Sequence, residues 1–298
     1  MVFDFGLSAY WQGVVIVAGV GAIAALGLQL TMMSGQFSVV HGALMGAAAY
    51  MTGIATVRWG LGMWPAVAVG GAFGAALGLL VAVIVLRLDG LFLGIATLAI
   101  GQMLSLAASN STYLGASNGF VGIPLRTHVS DVALVLVVAL AALLALKRTR
   151  VGIGLVAVGR DPVAASSLGI SPAHVRLAAF AGGGLLAGVA GALNAQYVSF
   201  VSPDDLGFAA EVQLLLYVVL GGMTTPLGAV AGAFGITLSS ELLRFTDLDR
   251  LWIFGLVLMG VALLRPDGLL RRRNIGLPGI AARSRALVLR MRGERAAA

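Results

Sequence analysis

Long apolar runs separated by short polar stretches dominate the chain and predict a series of membrane helices. The clearest runs are 11–33, 43–57, 65–86, 91–108, 132–146, 176–197, 212–220, 227–243 and 250–264. A helix needs about 20 apolar residues to cross a bilayer, so we expect an all-α, polytopic membrane protein with eight to ten spans. The range reflects two polar interruptions, 34–42 and 221–226, because each is either an ordinary loop or a helix broken inside the membrane.

A polar stretch near the middle of the chain, GRDPVAASSLGIS at 159–171, carries the signals of a short helix. Asp161 is a good N-cap, and Pro162 suits the first helical position. Gly169 stands where a left-handed residue commonly ends a helix. The resulting helix of about two turns is too short to be stable alone. It therefore needs something to pack against, which is either this chain, the membrane surface or another protein.

The composition supports membrane insertion. The chain is 59% hydrophobic and 10% charged, with a mean hydropathy of +1.01, whereas a soluble domain carries about 25% charged residues. Its 42 glycines are typical of closely packed membrane helices. The absence of cysteine excludes disulfides and thiolate metal sites.

The distribution of charge predicts the topology. Residues 265–298 contain nine arginines and two acidic residues, which account for the whole net charge of +7. We interpret this segment as an Arg-rich cytoplasmic tail facing lipid headgroups, and 1–264 as the transmembrane domain. The loop 147–176 has five basic residues and one acidic residue, so it is also predicted to be cytoplasmic. The loops 109–131 and 199–211 then lie outside, while the orientation of the N-terminal part stays open.

The remaining polar residues offer no catalytic constellation. The charged residues within or beside the spans lie near predicted span ends, where interfacial pairing is expected: Arg87, Asp89, Glu211, Glu241 and Arg244. His41, in the first interruption, is either a hydrogen-bonded packing residue or a proton relay. The only lysine is Lys147, so there is no phosphate-binding P-loop. We predict no catalytic residue, no metal site and no bound cofactor, and no binding of nucleic acid.

Several motifs in a fixed order resemble one family. The sequence over roughly 27–265 resembles the permease subunits of branched-chain amino-acid ABC importers, closer to the LivM type than to the LivH type. The motifs that carry this resemblance are SGQFSVVHGALMGAAAY, RLDGLFLGIATLAIGQML, NGFVGIP, VGRDPVAASSLGISPAHVRLAAFAGGGLLAGVAGAL, SPDDLGF and VVLGGMTTPLGAVAGA.

The resemblance implies a multi-subunit importer of the inner membrane. Its partners would be a second permease subunit (LivH-like, or a second copy of this chain), two cytosolic ATPases that use ATP and Mg²⁺, and an extracytoplasmic substrate-binding protein. The residues that match the ATPase-docking loop are Arg160, Asp161, Pro162, Ala164, Ala165, Leu168, Gly169 and Ile170. The candidates for lining the substrate path are Gln36, Ser38, His41, Gly221, Gly222, Met223 and Thr224.

Other functions stay open at this level. A sister importer for urea, short amides or another small amphipathic solute would have a similar permease. A stand-alone channel or secondary carrier would work without ATPase subunits. A membrane enzyme is disfavoured, because the chain shows no catalytic motif.

Overall fold

The computed structural model describes residues 8–223 and 225–242, and these residues are almost entirely helical. The α-helices in these ranges are α1 (Ala9–Met33), α2 (His41–Val57), α3 (Met63–Val85), α4 (Gly90–Asn110), α5 (Val129–Leu146), α6 (Arg150–Arg160), α7 (Pro162–Ser167), α8 (Pro172–Val198), α9 (Phe208–Gly221) and α10 (Pro226–Leu242). Short 3₁₀ turns lie at Thr112–Leu114, Ala116–Asn118 and Pro203–Leu206, and β1 (Phe120–Val121) pairs with β2 (Phe200–Val201). The predicted last span, 250–264, and the Arg-rich tail lie outside the described residues.

The helices confirm the predicted class of membrane fold but divide it differently. Among the described residues, α1, α3, α4, α5 and α8 are long and apolar enough to cross a bilayer. Helices α9 and α10 form a sixth span if the pair, bent by 119°, counts as one. Helix α2 has only 17 residues, fewer than a full crossing takes. The eight apolar runs predicted in this part of the chain therefore give five or six full crossings by length and composition, because three of the runs are short helices next to a break.

Helix α8 lies at the centre of the bundle and packs against α1, α2 and α3. Its contact with α3 is made by glycines on both sides. A Cβ added to Gly74 would lie 2.8 Å from the Gly188 Cα, and one added to Gly78 would lie 3.2 Å from the Gly184 Cα. Lipid provides no hydrophobic force that drives helices together, so this close backbone approach and its dispersion contacts hold the pair.

One end of the bundle, which we call the β end, gathers the two loops predicted to lie outside. Phe120 pairs with Val201 and Val121 with Phe200, so the loop before α5 and the loop after α8 meet. Tyr197, near the end of α8, also touches α1, because a Cβ added to Gly13 would lie 2.6 Å from its hydroxyl oxygen. Helix α1 therefore begins at the β end, which fixes the relative orientation that the sequence left open.

The opposite end, which we call the α7 end, contains the loop predicted to be cytoplasmic. Arg176, in the first turns of α8, pairs with Asp89 just before α4, with 2.7 Å between Nη2 and Oδ1. This ion pair confirms the expected interfacial pairing of Asp89. The C-terminal end of α1 is also here, because Gly35 contacts Gly159 of α6.

Candidate functional site

The predicted short helix is present as α7, and its caps form as expected. The Asp161 Oδ1 accepts hydrogen bonds from the backbone N–H groups of Val163 and Ala164, each at 2.9 Å. Pro162 occupies the first turn, where its missing N–H costs nothing. Gly169 has φ of +80°, a left-handed conformation that ends the helix. The polar residues of the loop thus define a rigid two-turn projection.

One face of α7 and its C-terminal end are exposed apolar surface. Val163 is 75% exposed and Leu168 is 79% exposed, whereas Ala165 on the opposite face is buried. Ala165 faces α6 and α8, against which α7 packs. Arg160 and Ala164 are also exposed, and Ile170 is half-buried. Exposed large apolar side chains on a rigid projection are typical of a protein-binding surface.

Helix α6 precedes α7 and was not anticipated, because its sequence, RVGIGLVAVGR, has three glycines. Its N-cap is Thr149, whose Oγ1 accepts a hydrogen bond from the Gly152 N–H at 3.3 Å. At its other end, Gly159 lies against the first interruption. A Cβ added to Gly159 would overlap the Met33 carbonyl oxygen and lie 3.0 Å from the Gly35 nitrogen. The short helix α7 is therefore joined through α6 to the segment that follows α1.

The first interruption, 34–42, contains a non-helical segment, 34–40, in which all residues except Gly35 and Phe37 are buried. The predicted path residues Gln36, Ser38 and His41 are all at most 1% exposed. The backbone N–H of Val39 donates to the Thr97 Oγ1 of α4 at 3.1 Å. Buried irregular backbone is tolerated at membrane depth only where protein or water satisfies it. Helix α2 runs back towards the β end, because Gly53 near its end contacts Phe120. The segment is therefore a largely buried turn between two helices of opposite direction, and not a break within one helix.

His41 is the first residue of α2 and is held by a hydrogen bond. Its Nε2 lies 3.0 Å from the Thr31 Oγ1, and that hydroxyl donates to the Ala179 carbonyl oxygen at 3.3 Å. Which of the two groups donates in the bond between Thr31 and His41 depends on the tautomer of the imidazole. The Nδ1 is buried without a hydrogen-bond partner among the described residues. The contacts favour the packing role over a proton relay, since no chain of titratable partners leads away from the ring.

The second interruption separates α9 from α10 and also lies close to α1. The Gln29 Nε2 donates to the Met223 carbonyl oxygen at 3.3 Å. Gly221 and Gly222 are buried, whereas Met223 is 43% exposed. Gly222 has φ of +113°, a conformation that a side chain would strain. Thr224 lies outside the described residues.

The two interruptions meet the same stretch of α1. Gln29 contacts the second interruption, and Thr31, two residues later, contacts the residue that ends the first. The structure thus brings the two groups of predicted path residues to one level of the bundle. The docking residues of α7 lie apart from them. Helix α7 is connected to them through α6, which contacts Met33 and Gly35, and through α8, whose Gly183 contacts His41.

Glu211 is a functional candidate that sequence reasoning missed. It was expected at an interface, and this expectation was wrong, because the side chain is 1% exposed. Neither carboxylate oxygen has a hydrogen-bond partner among the described residues. A Cβ on Gly42 would lie 2.8 Å from the Glu211 nitrogen, and one on Gly101 would overlap the carboxylate. The burial arises from glycines on two other helices, which a single sequence does not reveal.

No group of three or more His, Cys, Asp or Glu side chains that could hold a metal ion occurs in the described parts of the chain. A bundle of apolar helices with two interruptions and a short exposed helix at one end has the features of a membrane transport component.

Comparison with known proteins gives the family. Residues 11–264 match the family described as branched-chain amino acid transport system, permease component, and the chain belongs to this family. It is 32% identical over 285 residues to the high-affinity branched-chain amino acid transport system permease protein LivM of Escherichia coli (strain K12), which covers 83% of this chain and 67% of that protein. It is 33% identical over 270 residues to the autoinducer 2 import system permease protein LsrC of Klebsiella pneumoniae, which covers 84% of this chain and 76% of that protein. No solved structure matches the chain.

Proposed function

We propose that this chain is the membrane-spanning subunit of an ATP-driven importer that carries branched-chain amino acids across a bacterial inner membrane. The family and the similarity to LivM support this substrate class. The observation that carries the proposal is α7, a capped helix that presents Val163 and Leu168 to solvent. A membrane body whose sequence lacks a nucleotide-binding motif needs such a contact with a separate ATPase.

The α7 end is assigned to the cytoplasm because the loop 147–176 carries five basic residues and one acidic residue. In that compartment, Val163 and Leu168 would enter an apolar groove on an ATPase subunit. The complete importer would contain two such ATPases, a second permease subunit (LivH-like or a second copy of this chain) and an extracytoplasmic binding protein. The binding protein would dock at the β end, where the two outer loops meet.

The proposed mechanism moves α7 when the ATPases close on ATP. Helix α6 packs against α7 and touches the segment 34–40 through Gly159. Motion of α7 would therefore shift the two interruptions and switch the path between outward and inward openings. In this scheme Gln36, Ser38 and His41 line one side of the path, and the 221–223 segment lines the other.

A different solute is the second candidate. The similarity to LsrC proteins is nearly as extensive as that to LivM, so the same permease body serves more than one substrate class in this family. Urea and short amides remain further candidates. The binding protein would then decide which solute reaches the path.

Reconstitution tests both the mechanism and the substrate. Proteoliposomes containing this chain, the second permease and the ATPases, supplied with the binding protein, are expected to accumulate radiolabelled leucine only when ATP is present. Competition by isoleucine and valine, but not by urea or autoinducer 2, would support the substrate class. Flux through this chain without ATPase subunits would refute the importer and indicate a channel or secondary carrier.

A further inference from the structure

Glu211 is a buried acidic residue to which the proposed mechanism assigns no role. It lies in the first turn of α9 with a 1% exposed side chain, and neither of its carboxylate oxygens has a partner among the described residues. An isolated carboxylate is very costly to bury, and buried charges are normally paired. Ionisable groups within membrane bundles are typically functional for the same reason. Such a side chain either holds a proton or pairs with a cation that the described residues do not supply.

Two glycines on neighbouring helices lie against Glu211. Gly42 of α2 contacts its backbone, and Gly101 of α4 contacts its carboxylate. A Cβ added to Gly101 would overlap the carboxylate and lie 3.2 Å from the Ala43 Cβ. The ion pairs of the described residues join other groups, His128 to Asp131 and Arg176 to Asp89. Neither of these two ion pairs of the described residues involves Glu211.

The position of Glu211 connects it to the predicted path. Gly42 follows directly on His41, the path residue that ends the first interruption, and its Cα region contacts the Glu211 backbone. Helices α2, α4 and α9 meet at the carboxylate, so a separation of these helices would open it to a solute passing along the interruption. Because the carboxylate packs directly against Gly101, a ligand would reach it only when these helices separate.

We propose that the Glu211 carboxylate is the binding site for the ammonium group of the transported amino acid. This inference rests on the proposed function, and it narrows the substrate class to solutes that carry a primary ammonium group. An ammonium group supplies one positive charge and three hydrogen-bond donors, which satisfy two unpartnered carboxylate oxygens. Charge-assisted bonds of this kind are the strong ones in a desolvated site.

The first test is leucine uptake by the complete reconstituted importer with three variants. Glu211→Gln keeps the shape and removes the charge, and we expect uptake to fall about tenfold or more. Glu211→Asp keeps the charge on a shorter stem and is expected to give intermediate uptake. Glu241→Gln, which makes the same chemical change at a half-buried residue of α10, is the matched control and should transport normally. Wild-type uptake by Glu211→Gln would overturn the inference, and so would a loss in Glu211→Asp as severe as that in Glu211→Gln.

A second measurement needs no variant. The carboxyl reagent dicyclohexylcarbodiimide should label Glu211 in the wild-type complex, as detected by peptide mass spectrometry. Millimolar leucine should slow this labelling, whereas 2-hydroxy-4-methylpentanoate, which replaces the ammonium with a hydroxyl, should not. Equal protection by both compounds, or by neither, contradicts an ammonium site. If the wild-type complex itself fails to import leucine, the proposed function fails; if it imports leucine but Glu211 shows none of these effects, only this inference fails.

Discussion

The contact between Gly159 of α6 and the end of α1 gives the sharpest test of how α7 acts on the membrane path. A Cβ at position 159 would overlap the Met33 carbonyl oxygen and lie 3.0 Å from the Gly35 nitrogen. All of these neighbours are backbone atoms that cannot rotate away. Gly159→Ala must therefore push α6 away from the first interruption. Gly154, on the same helix, is the matched control, because its added Cβ would approach nothing nearer than the Ile170 Cγ2 at 3.8 Å.

Two opposing contributions set the free-energy cost of Gly159→Ala. Overpacking of a close contact costs about 1–3 kcal/mol. Replacing a helical glycine with alanine returns about 0.5–1 kcal/mol, and less near a helix end. Taken at the middle of both ranges, the net cost at position 159 is about 1.3 kcal/mol, which shifts the population of the α6 contact by about tenfold. Gly154→Ala gains the higher helix propensity of alanine without a steric clash, so it should be neutral or slightly stabilising.

The assay compares ATP hydrolysis and leucine uptake in the same proteoliposomes. Gly159→Ala leaves the exposed surface of α7 unchanged, so the ATPase subunits should still assemble and hydrolyse ATP. Uptake per ATP hydrolysed is expected to fall about tenfold, whereas Gly154→Ala should keep the wild-type ratio. An unchanged ratio in Gly159→Ala would refute the idea that motion reaches the path through this contact.

Three further changes test neighbouring parts of the structure. Asp161→Ala removes the N-cap of α7 and destabilises this short helix by about 1 kcal/mol. Co-purification of the ATPase should therefore weaken in Asp161→Ala and be retained in Asp161→Asn. Equal recovery of the ATPase with both variants would argue against a docking role for the helix. Ala164→Arg places a charge on the exposed face and should abolish ATPase co-purification and uptake, with Ala164→Ser as the control; normal recovery with Ala164→Arg would contradict the assigned surface. Thr31→Val leaves the His41 Nε2 without its buried hydrogen-bond partner, at a cost of about 1–3 kcal/mol. The melting temperature in detergent should therefore fall by several degrees in Thr31→Val and stay near the wild-type value in Thr31→Ser. An unchanged melting temperature in Thr31→Val would show that this hydrogen bond is not needed for stability.

The elements predicted well are those whose signals are local. Helix α7 was predicted because its cap, its first-turn proline and its terminal glycine all lie within nine residues of one another. Its neighbour α6 was missed because its glycines weaken any helical pattern. Those glycines are explained by tertiary contacts: a Cβ at Gly152 would overlap the Leu146 carbonyl oxygen, and one at Gly159 would overlap that of Met33.

The burial of Glu211 could not be predicted from the sequence for the same reason. An acidic residue beside a polar loop and ahead of an apolar run has the pattern of an interfacial side chain. Its burial depends on Gly42 and Gly101, which are far away in sequence and become neighbours only when α2, α4 and α9 assemble. Similarly, β1 pairs with β2, although the four helices α5 to α8 lie between these two-residue strands in the sequence. A single sequence contains no signal for contacts of this kind.

The end of α1 explains how one small cytoplasmic helix would act on two separate interruptions. Gln29 bonds the second interruption, Thr31 bonds His41 at the end of the first, and the Met33 carbonyl contacts Gly159 of α6. These three residues span about 6 Å of one helix, whose continuous backbone hydrogen bonds make it stiff over that distance. A displacement of Met33 by α6 therefore has to move Gln29 and Thr31 with it. The two halves of the path would then shift together, as switching between one outward and one inward opening requires.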